Sequence, residues 1–132
     1  FDQLEALTFN LGMTYLAAAK KLEAGDPQKT QFDKAATTFG ELIKKYPSGA
    51  KTPDALYNQA DALYLAKNKD AAIPLWRQLV DKHPQSPLRA DALYNIGVTQ
   101  QELGKPADAG KTFDEFLKTF ATDAHAAEVT LR

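Results

Sequence analysis

Several residue types that often carry protein chemistry are scarce or missing from this sequence. The 132 residues include no cysteine and only two histidines. Without cysteine the chain has neither disulfides nor a thiolate metal site, and the redox compartment stays undetermined. His83 and His125 do not have the spacing of a metal site or a catalytic triad. We therefore predict that the chain is not an enzyme and holds no cofactor or metal ion.

A surplus of one charge and a long hydrophobic run are missing too. Sixteen basic and seventeen acidic residues give a net charge of −1, without the basic excess that nucleic-acid binding needs. No apolar segment approaches the ~20 residues of a membrane span, and the start, FDQLEALTF, does not resemble a signal peptide. We expect neither nucleic-acid binding nor membrane insertion by this segment, which is either cytosolic or an internal piece of a longer protein.

The sequence contains an internal repeat. DALYNQA at residues 54–60 recurs as DALYNIG at residues 91–97, which is 37 residues later. The same shift connects other apolar positions, namely Ala35, Ala72 and Ala109, and Phe39, Trp76 and Phe113. A period of this size is typical of helical repeat arrays, in which each unit buries its apolar face against a neighbour. We expect one all-α domain over residues 1–132, with repeats at about 2–47, 48–84 and 85–121. A partial fourth repeat at 122–132 suggests a fragment of a longer protein.

Apolar residues at helical spacing predict two helices in each repeat. In the first helix they are Leu4, Leu7, Leu11, Tyr15, Ala18, Ala19 and Leu22. Asp26 is expected to cap the second helix, with Pro27 at its first position. Later helices are expected at about 52–66, 70–82, 87–103 and 106–120. Pro74 predicts a late start or a slight kink in its helix, because proline removes a backbone hydrogen bond.

The first repeat is longer than the others. Gly12 and Ala35 lie almost twice as far apart along the chain as the corresponding pairs, Ala60 with Ala72 and Gly97 with Ala109. At ~3.6 residues per turn, the 11 extra residues predict a hairpin about a turn and a half longer on each arm. Its tip should project near residues 23–28.

Once the helices are paired, their apolar positions resemble the tetratricopeptide repeat (TPR) family. The matching residues are Leu11, Gly12 and Tyr15 in the first repeat, Leu56, Ala60, Leu63, Ala72, Trp76 and Pro84 in the second, and Leu93, Gly97, Ala109 and Phe113 in the third. Ala121 replaces the closing proline of the third repeat. The resemblance implies a right-handed α-α superhelix, the TPR solenoid, with three helical hairpins plus a truncated last helix. It also implies a protein-protein interaction scaffold.

The spacers between repeats point to one branch of the family. The period is three residues longer than the usual 34, and the extra residues lie in KYPSGAKTPDALY and KHPQSPLRADALY. These spacers resemble the TPR proteins of the bacterial envelope, such as the periplasmic protein associated with the Tol-Pal system and the outer-membrane assembly lipoproteins. The resemblance implies a periplasmic or outer-membrane-associated protein, with a cytoplasmic location as the alternative.

The resemblance also implies a binding surface, because in TPR arrays one face of each first helix lines a concave groove. The candidate residues for binding a protein or peptide partner are Phe9, Asn10, Asp54, Tyr57, Asn58, Asp61, Tyr64, Asp91, Tyr94, Asn95 and Gln101, with Glu102 beside them. This face lacks the Lys and Arg residues that clamp a carboxylate in some TPR domains. An acidic face with tyrosines predicts a partner segment with apolar and basic residues.

Three alternatives remain open. Asn58 and Asn95 could bond the backbone of a neighbouring helix while Tyr57 and Tyr94 pack between repeats, since buried polar groups require partners. The array could instead self-associate into a homo-oligomer through the first hairpin or the truncated last helix. It could also be the regulatory repeat region of a larger enzyme.

Overall fold

The computed structural model describes residues 3–121, and within that range it contains six α-helices and no strand. The helices are α1 (Gln3–Lys21), α2 (Asp26–Lys45), α3 (Thr52–Leu65), α4 (Lys69–Lys82), α5 (Arg89–Glu102) and α6 (Pro106–Thr119). The all-α fold with three helical hairpins is confirmed. The partial fourth repeat lies outside the described residues. No helix in residues 3–121 combines the length and the apolar character that crossing a bilayer requires.

The chain divides into two compact units, an N-terminal unit (Phe1–Leu75) and a C-terminal unit (Trp76–Arg132). The division falls inside α4, and each unit has buried residues of its own. The expectation of a single domain over residues 1–132 stays a prediction.

The first hairpin is longer than the other two, as predicted. Helices α1 and α2 have 19 and 20 residues, whereas each of the other four helices has 14. The tip, residues 22–25, is exposed. Gly25 has φ +152°, which favours glycine, and Gln28 Nε2 donates to the carbonyl of Leu22 at 2.9 Å. That bond satisfies a carbonyl just beyond the end of α1.

The core of the N-terminal unit forms where α2 packs between α1 and α3. Phe39 is fully buried, and a Cβ atom at Gly12 would lie 2.5 Å from its ring. Glycine at this position therefore lets α1 approach α2 closely. The buried cluster consists of Leu16, Ala19, Phe32, Ala35, Ala36, Phe39, Leu42, Ala55, Ala62 and Ala66.

A buried carboxylate holds the spacer between α2 and α3. Glu5 is only 5 % exposed, and its Oε1 accepts a hydrogen bond from the backbone N–H of Lys51 at 2.6 Å. Thr52 Oγ1 accepts from the N–H of Gly49 and donates to the carbonyl of Tyr46. These bonds pair backbone groups before α3 that the helix itself cannot pair. The bond to Glu5 also connects the spacer to α1.

In the C-terminal unit, α5 packs against α6 with the same glycine-aromatic contact, because a Cβ at Gly97 would overlap the Phe113 ring. Tyr94 lies 6.3 Å from the rings of both Phe113 and Phe116. Arg77 forms a bidentate pair with Glu115, with distances of 2.8 and 3.0 Å. The Glu115 carboxylate raises the pKa of the Arg77 guanidinium, because it stabilises the charged form.

Three details differ from expectation. Leu4, Leu7 and Leu11 are exposed, because α1 has two apolar faces and packs against α2 through the other one, and Leu22 is exposed at the tip beyond α1. Asp26 does not cap α2: Gly25 is the N-cap, and Asp26 lies in the first turn, where its charge suits the helix dipole. Helix α4 begins at Lys69, so of the two outcomes predicted from Pro74 the late start is wrong and the slight kink stays a prediction. Proline fits inside α4 five residues after the helix begins.

Candidate partner-binding site

Helix α3 buries most of its surface but keeps one face partly open. Ala55, Leu56, Ala60 and Ala62 are fully buried, each with 0 % exposure. The predicted site residues of this helix are all half-buried, namely Asp54, Tyr57, Asn58, Asp61 and Tyr64. The packing of α3 therefore leaves a polar and aromatic row within reach of a partner.

Asn58 has a fixed orientation within this row. Its Nδ2 donates to the carbonyl of Asp54 at 2.8 Å, one turn earlier in α3. This bond lies inside α3, whereas the alternative to partner binding placed the hydrogen bond of Asn58 on the backbone of a neighbouring helix. The amide group of Asn58 keeps a carbonyl oxygen, Oδ1, as a hydrogen-bond acceptor.

Asp61 lies opposite a lysine of α1. Lys20 Nζ and Asp61 Oδ2 are 3.7 Å apart, with 54 % of the lysine side chain and 29 % of the aspartate side chain exposed. Burial raises the pKa of the Asp61 carboxyl, and the charge of Lys20 opposes the shift without cancelling it. The Asp61 carboxylate is therefore only incompletely compensated by its partner.

Lysines lie against three residues of the predicted site. Besides Lys20 at Asp61, Lys51 Nζ lies 5.1 Å from the Phe9 ring centroid and Lys69 Nζ lies 5.2 Å from that of Tyr64. Lysine side chains therefore lie beside the predicted site in the N-terminal unit. The position of Lys20 could have been inferred from the sequence. The repeat register aligns Met13 of α1 with Asp61 of α3. Lys20 follows Met13 by seven residues, which is about two helical turns, so it lies on the same side of α1.

The two candidate residues of α1 differ in accessibility. Phe9 is half-buried and packs against Phe39, with ring centroids 5.7 Å apart. Asn10 is exposed. Phe9 is thus mainly a packing residue, and Asn10 is the α1 member that a partner can reach.

The equivalent residues of α5 are described within the C-terminal unit. Asp91 and Asn95 are half-buried, whereas Gln101 and Glu102 are exposed at the end of the helix. Tyr94 is buried, and its ring lies against Phe113 and Phe116 of α6, within its own repeat. The alternative that it packs between repeats stays a prediction. Among residues 3–121, no three His, Cys, Asp or Glu side chains converge as metal ligands would. His125 lies outside that range.

Paired helices joined by small-residue and aromatic contacts are the architecture of α-helical repeat proteins. One tetratricopeptide-repeat family model matches residues 28–87 and again 68–127, and a second matches residues 5–49. The chain belongs to the tetratricopeptide-repeat family, whose repeats generally mediate protein-protein interaction on a scaffold without catalytic function. No curated protein matches the chain.

Proposed function

We propose that the N-terminal unit binds a segment of a partner protein along the open face of α3 and the adjoining residues of α1. One observation carries this proposal. Asp54, Tyr57, Asn58, Asp61 and Tyr64 remain half-buried on a helix whose residues Ala55, Leu56, Ala60 and Ala62 are fully buried. A row of aromatic, amide and carboxylate groups on a rigid helix suits peptide recognition, because it combines apolar area with fixed hydrogen-bonding groups.

The chemistry of the row favours a segment with apolar and basic residues. Asp61 is incompletely compensated by Lys20, whose long side chain is more than half exposed and can move away. A Lys or Arg of the partner replaces Lys20 at this carboxylate, and arginine does so with two hydrogen bonds. Asn58 accepts a backbone N–H of the segment through Oδ1, and Tyr57 contributes apolar contact. In the C-terminal unit, Asp91, Asn95 and Gln101 of α5 provide equivalent groups.

The proposed setting is a bacterial envelope complex, with the protein in the periplasm or at the outer membrane. The support is the resemblance of the two spacers, of which the first is held by Glu5 and Thr52. Fractionation of cells that express the natural full-length protein tests this proposal. Recovery in the periplasmic or outer-membrane fraction supports it, and recovery in the cytoplasm contradicts it.

Selection from a random peptide library displayed on phage tests the binding proposal. Peptides enriched on the unaltered protein should carry Lys or Arg together with aliphatic or aromatic residues. The double variant Asn58→Ala, Asp61→Asn should bind the selected peptides at least tenfold more weakly. Asp33→Asn is the matched control, because it removes the same charge from an aspartate that pairs with Lys29 on α2. Unchanged binding by a correctly folded double variant would disprove the role of this face.

A further inference from the structure

Two lysines from different helices contact the row of half-buried residues on α3 at its C-terminal end. Lys20, in the last turn of α1, pairs with Asp61 at 3.7 Å. Lys69, the first residue of α4, lies with Nζ 5.2 Å from the ring centroid of Tyr64. Asp61 and Tyr64 are three residues apart in α3 and therefore lie on one side of it. One cation thus lies at a carboxylate and a second lies over an aromatic ring, about one helical turn further along.

The repeat register shows that these contacts are not part of the general packing of a repeat. One period later, the residues that correspond to Asp61 and Lys69 are Val98 and Pro106, neither of which carries a charge. Lys69 also stands in the first turn of α4, where the helix dipole disfavours a cation. The fold of the hairpin therefore does not require either contact.

Both contacts are of a kind that can be exchanged. An exposed ion pair contributes little to stability, because water and salt screen it and two side chains lose freedom. The Lys20 side chain is 54 % exposed, and burial still raises the pKa of the Asp61 carboxyl against the charge of this lysine. A contact between a lysine and an aromatic ring is likewise weak near the surface. Another cation can therefore replace either lysine at low cost.

We propose that Lys20 and Lys69 are internal substitutes for two basic residues of the partner segment, which displace them from Asp61 and Tyr64. This inference rests on the proposed function, because it concerns the same row of α3. In the free protein the two lysines occupy the positions that the partner's cations take in the complex. They therefore compete with the partner and make its binding weaker than the row alone would allow.

The spacing of the two contacts indicates the kind of segment that fits. Three residues of α3 correspond to a rise of about 4.5 Å. In an extended segment, side chains two residues apart lie on the same side and about 6.6 Å apart, so two long basic side chains reach both groups. An extended segment also offers backbone N–H groups to Asn58 Oδ1, whereas those inside a helix are already bonded. The partner is thus an extended segment with Lys or Arg at positions i and i+2.

The affinity of lysine variants tests the competition. The probes are synthetic copies of the peptides that the phage library yields on the unaltered protein, titrated by calorimetry. Lys20→Met and Lys69→Met should each bind them about two- to fivefold more tightly, because a competing cation is removed. Methionine keeps an apolar stem without the charge. Lys29→Met is the matched control and should leave the affinity unchanged, because Lys29 is 57 % exposed and pairs with Asp33 on α2.

Ionic strength separates competition from a loosened fold. The Debye length falls from about 8 Å at 0.15 M salt to about 3 Å at 1 M. The gain in affinity of Lys20→Met should therefore shrink as salt is added, whereas a gain that comes from loosened structure would persist. Among the enriched peptides, two basic residues should stand two positions apart more often than at any other spacing.

The outcomes distinguish this inference from the proposed function on which it rests. Unchanged or weaker binding by both lysine variants would overturn the inference alone, provided that the Asn58→Ala, Asp61→Asn variant still loses affinity. Basic residues enriched at another spacing would overturn the extended i, i+2 partner. If no peptide is enriched, or if the Asn58→Ala, Asp61→Asn variant binds as the unaltered protein does, the proposed function fails and the inference fails with it.

Discussion

Two turns of this chain each contain one residue with a positive φ, which is a lysine in one turn and a glycine in the other. Lys67, after α3, has φ +72°, and Gly104, after α5, has φ +74°. Each turn is closed by a bond from the next N–H to a carbonyl five residues earlier, Asn68 to Leu63 at 2.8 Å and Lys105 to Gln100 at 2.9 Å. A left-handed conformation costs ~1–2 kcal/mol for a residue with a side chain and little for glycine.

Lys67→Gly should therefore raise the free energy of unfolding by about 1 kcal/mol. This is a net value, because glycine relieves the backbone strain but also gives the unfolded chain more conformational freedom. Urea denaturation measures this as a higher midpoint at an unchanged slope. Gly104→Ala is the reciprocal control and should lower the free energy of unfolding by about the same amount. A loss of stability in Lys67→Gly would mean that the lysine side chain contributes more than its backbone strain costs.

The raised pKa of Asp61 predicts a pH-dependent effect of its own. Because burial raises the pKa in the folded state, the ionised carboxylate disfavours folding at neutral pH, and protonation relieves this cost as the pH falls through the folded pKa. Asp61→Asn should be more stable than the unaltered protein at pH 7. The difference should shrink in acid and vanish below ~3.9, the pKa of an unperturbed aspartate. Urea titrations across this range decide the sign, and a variant less stable at pH 7 would show that the Lys20 pair outweighs burial.

Helices α5 and α6 each contain one glycine, Gly97 and Gly110, and the two differ in the space around them. A Cβ at Gly97 would come within 2.7–2.8 Å of Phe113 Cδ1 and Cζ, whereas nothing lies within 4 Å of a Cβ at Gly110. Overpacking costs ~1–3 kcal/mol, and alanine gains up to ~1 kcal/mol over glycine as a helix former. Gly97→Ala should thus lower the free energy of unfolding by about 1–2 kcal/mol. Gly110→Ala should raise it by about 0.5–1 kcal/mol.

Thermal and urea denaturation of the two glycine variants test this difference, with near-ultraviolet circular dichroism as a check on aromatic packing. Equal effects of the two substitutions would mean that Phe113 moves aside freely. That outcome would also remove the physical reason for glycine at the matching position of the first repeat, Gly12.

The sequence predicts the helices well because each is bounded by proline, glycine or a spacer, and the 37-residue register repeats the pattern. It predicts the buried face of α1 poorly. Helix α1 has one row of small and apolar residues that meets α2 and a second row of leucines that remains exposed. Periodicity detects both rows but cannot tell which one a neighbour covers. The register alone would not have done so, because it aligns Leu7, which is 64 % exposed, with the fully buried Ala55.

The sequence predicted which face of each helix carries the candidate site residues, but it predicted their solvent exposure less well. The register places Tyr57 and Tyr94 at equivalent positions, yet Tyr57 is half-buried and Tyr94 is buried. The rings of Phe113 and Phe116 lie against Tyr94. Lys20 was missed because it comes from the longer first helix, which has no counterpart in the later repeats. Contacts between distant segments decide such cases.

At the scale of the whole molecule, stability should be local. The N-terminal unit is held by its cluster around Phe39, and the C-terminal unit has its own contacts among Tyr94, Phe113 and Phe116. In repeat arrays stability is approximately a sum of each repeat and its nearest-neighbour interfaces. A defect in one repeat therefore lowers the free energy of local opening most strongly around that repeat.

Native-state hydrogen exchange of Gly97→Ala tests this expectation residue by residue. The amides of α5 and α6 should lose protection by roughly 5–30-fold, which corresponds to about 1–2 kcal/mol, while those of α1 and α2 should lose less. Gly12→Ala should show the reverse pattern, because its overlap is with Phe39. An equal loss of protection at every slowly exchanging amide in both variants would contradict local stability. The three hairpins would then open only together, as a single two-state protein does.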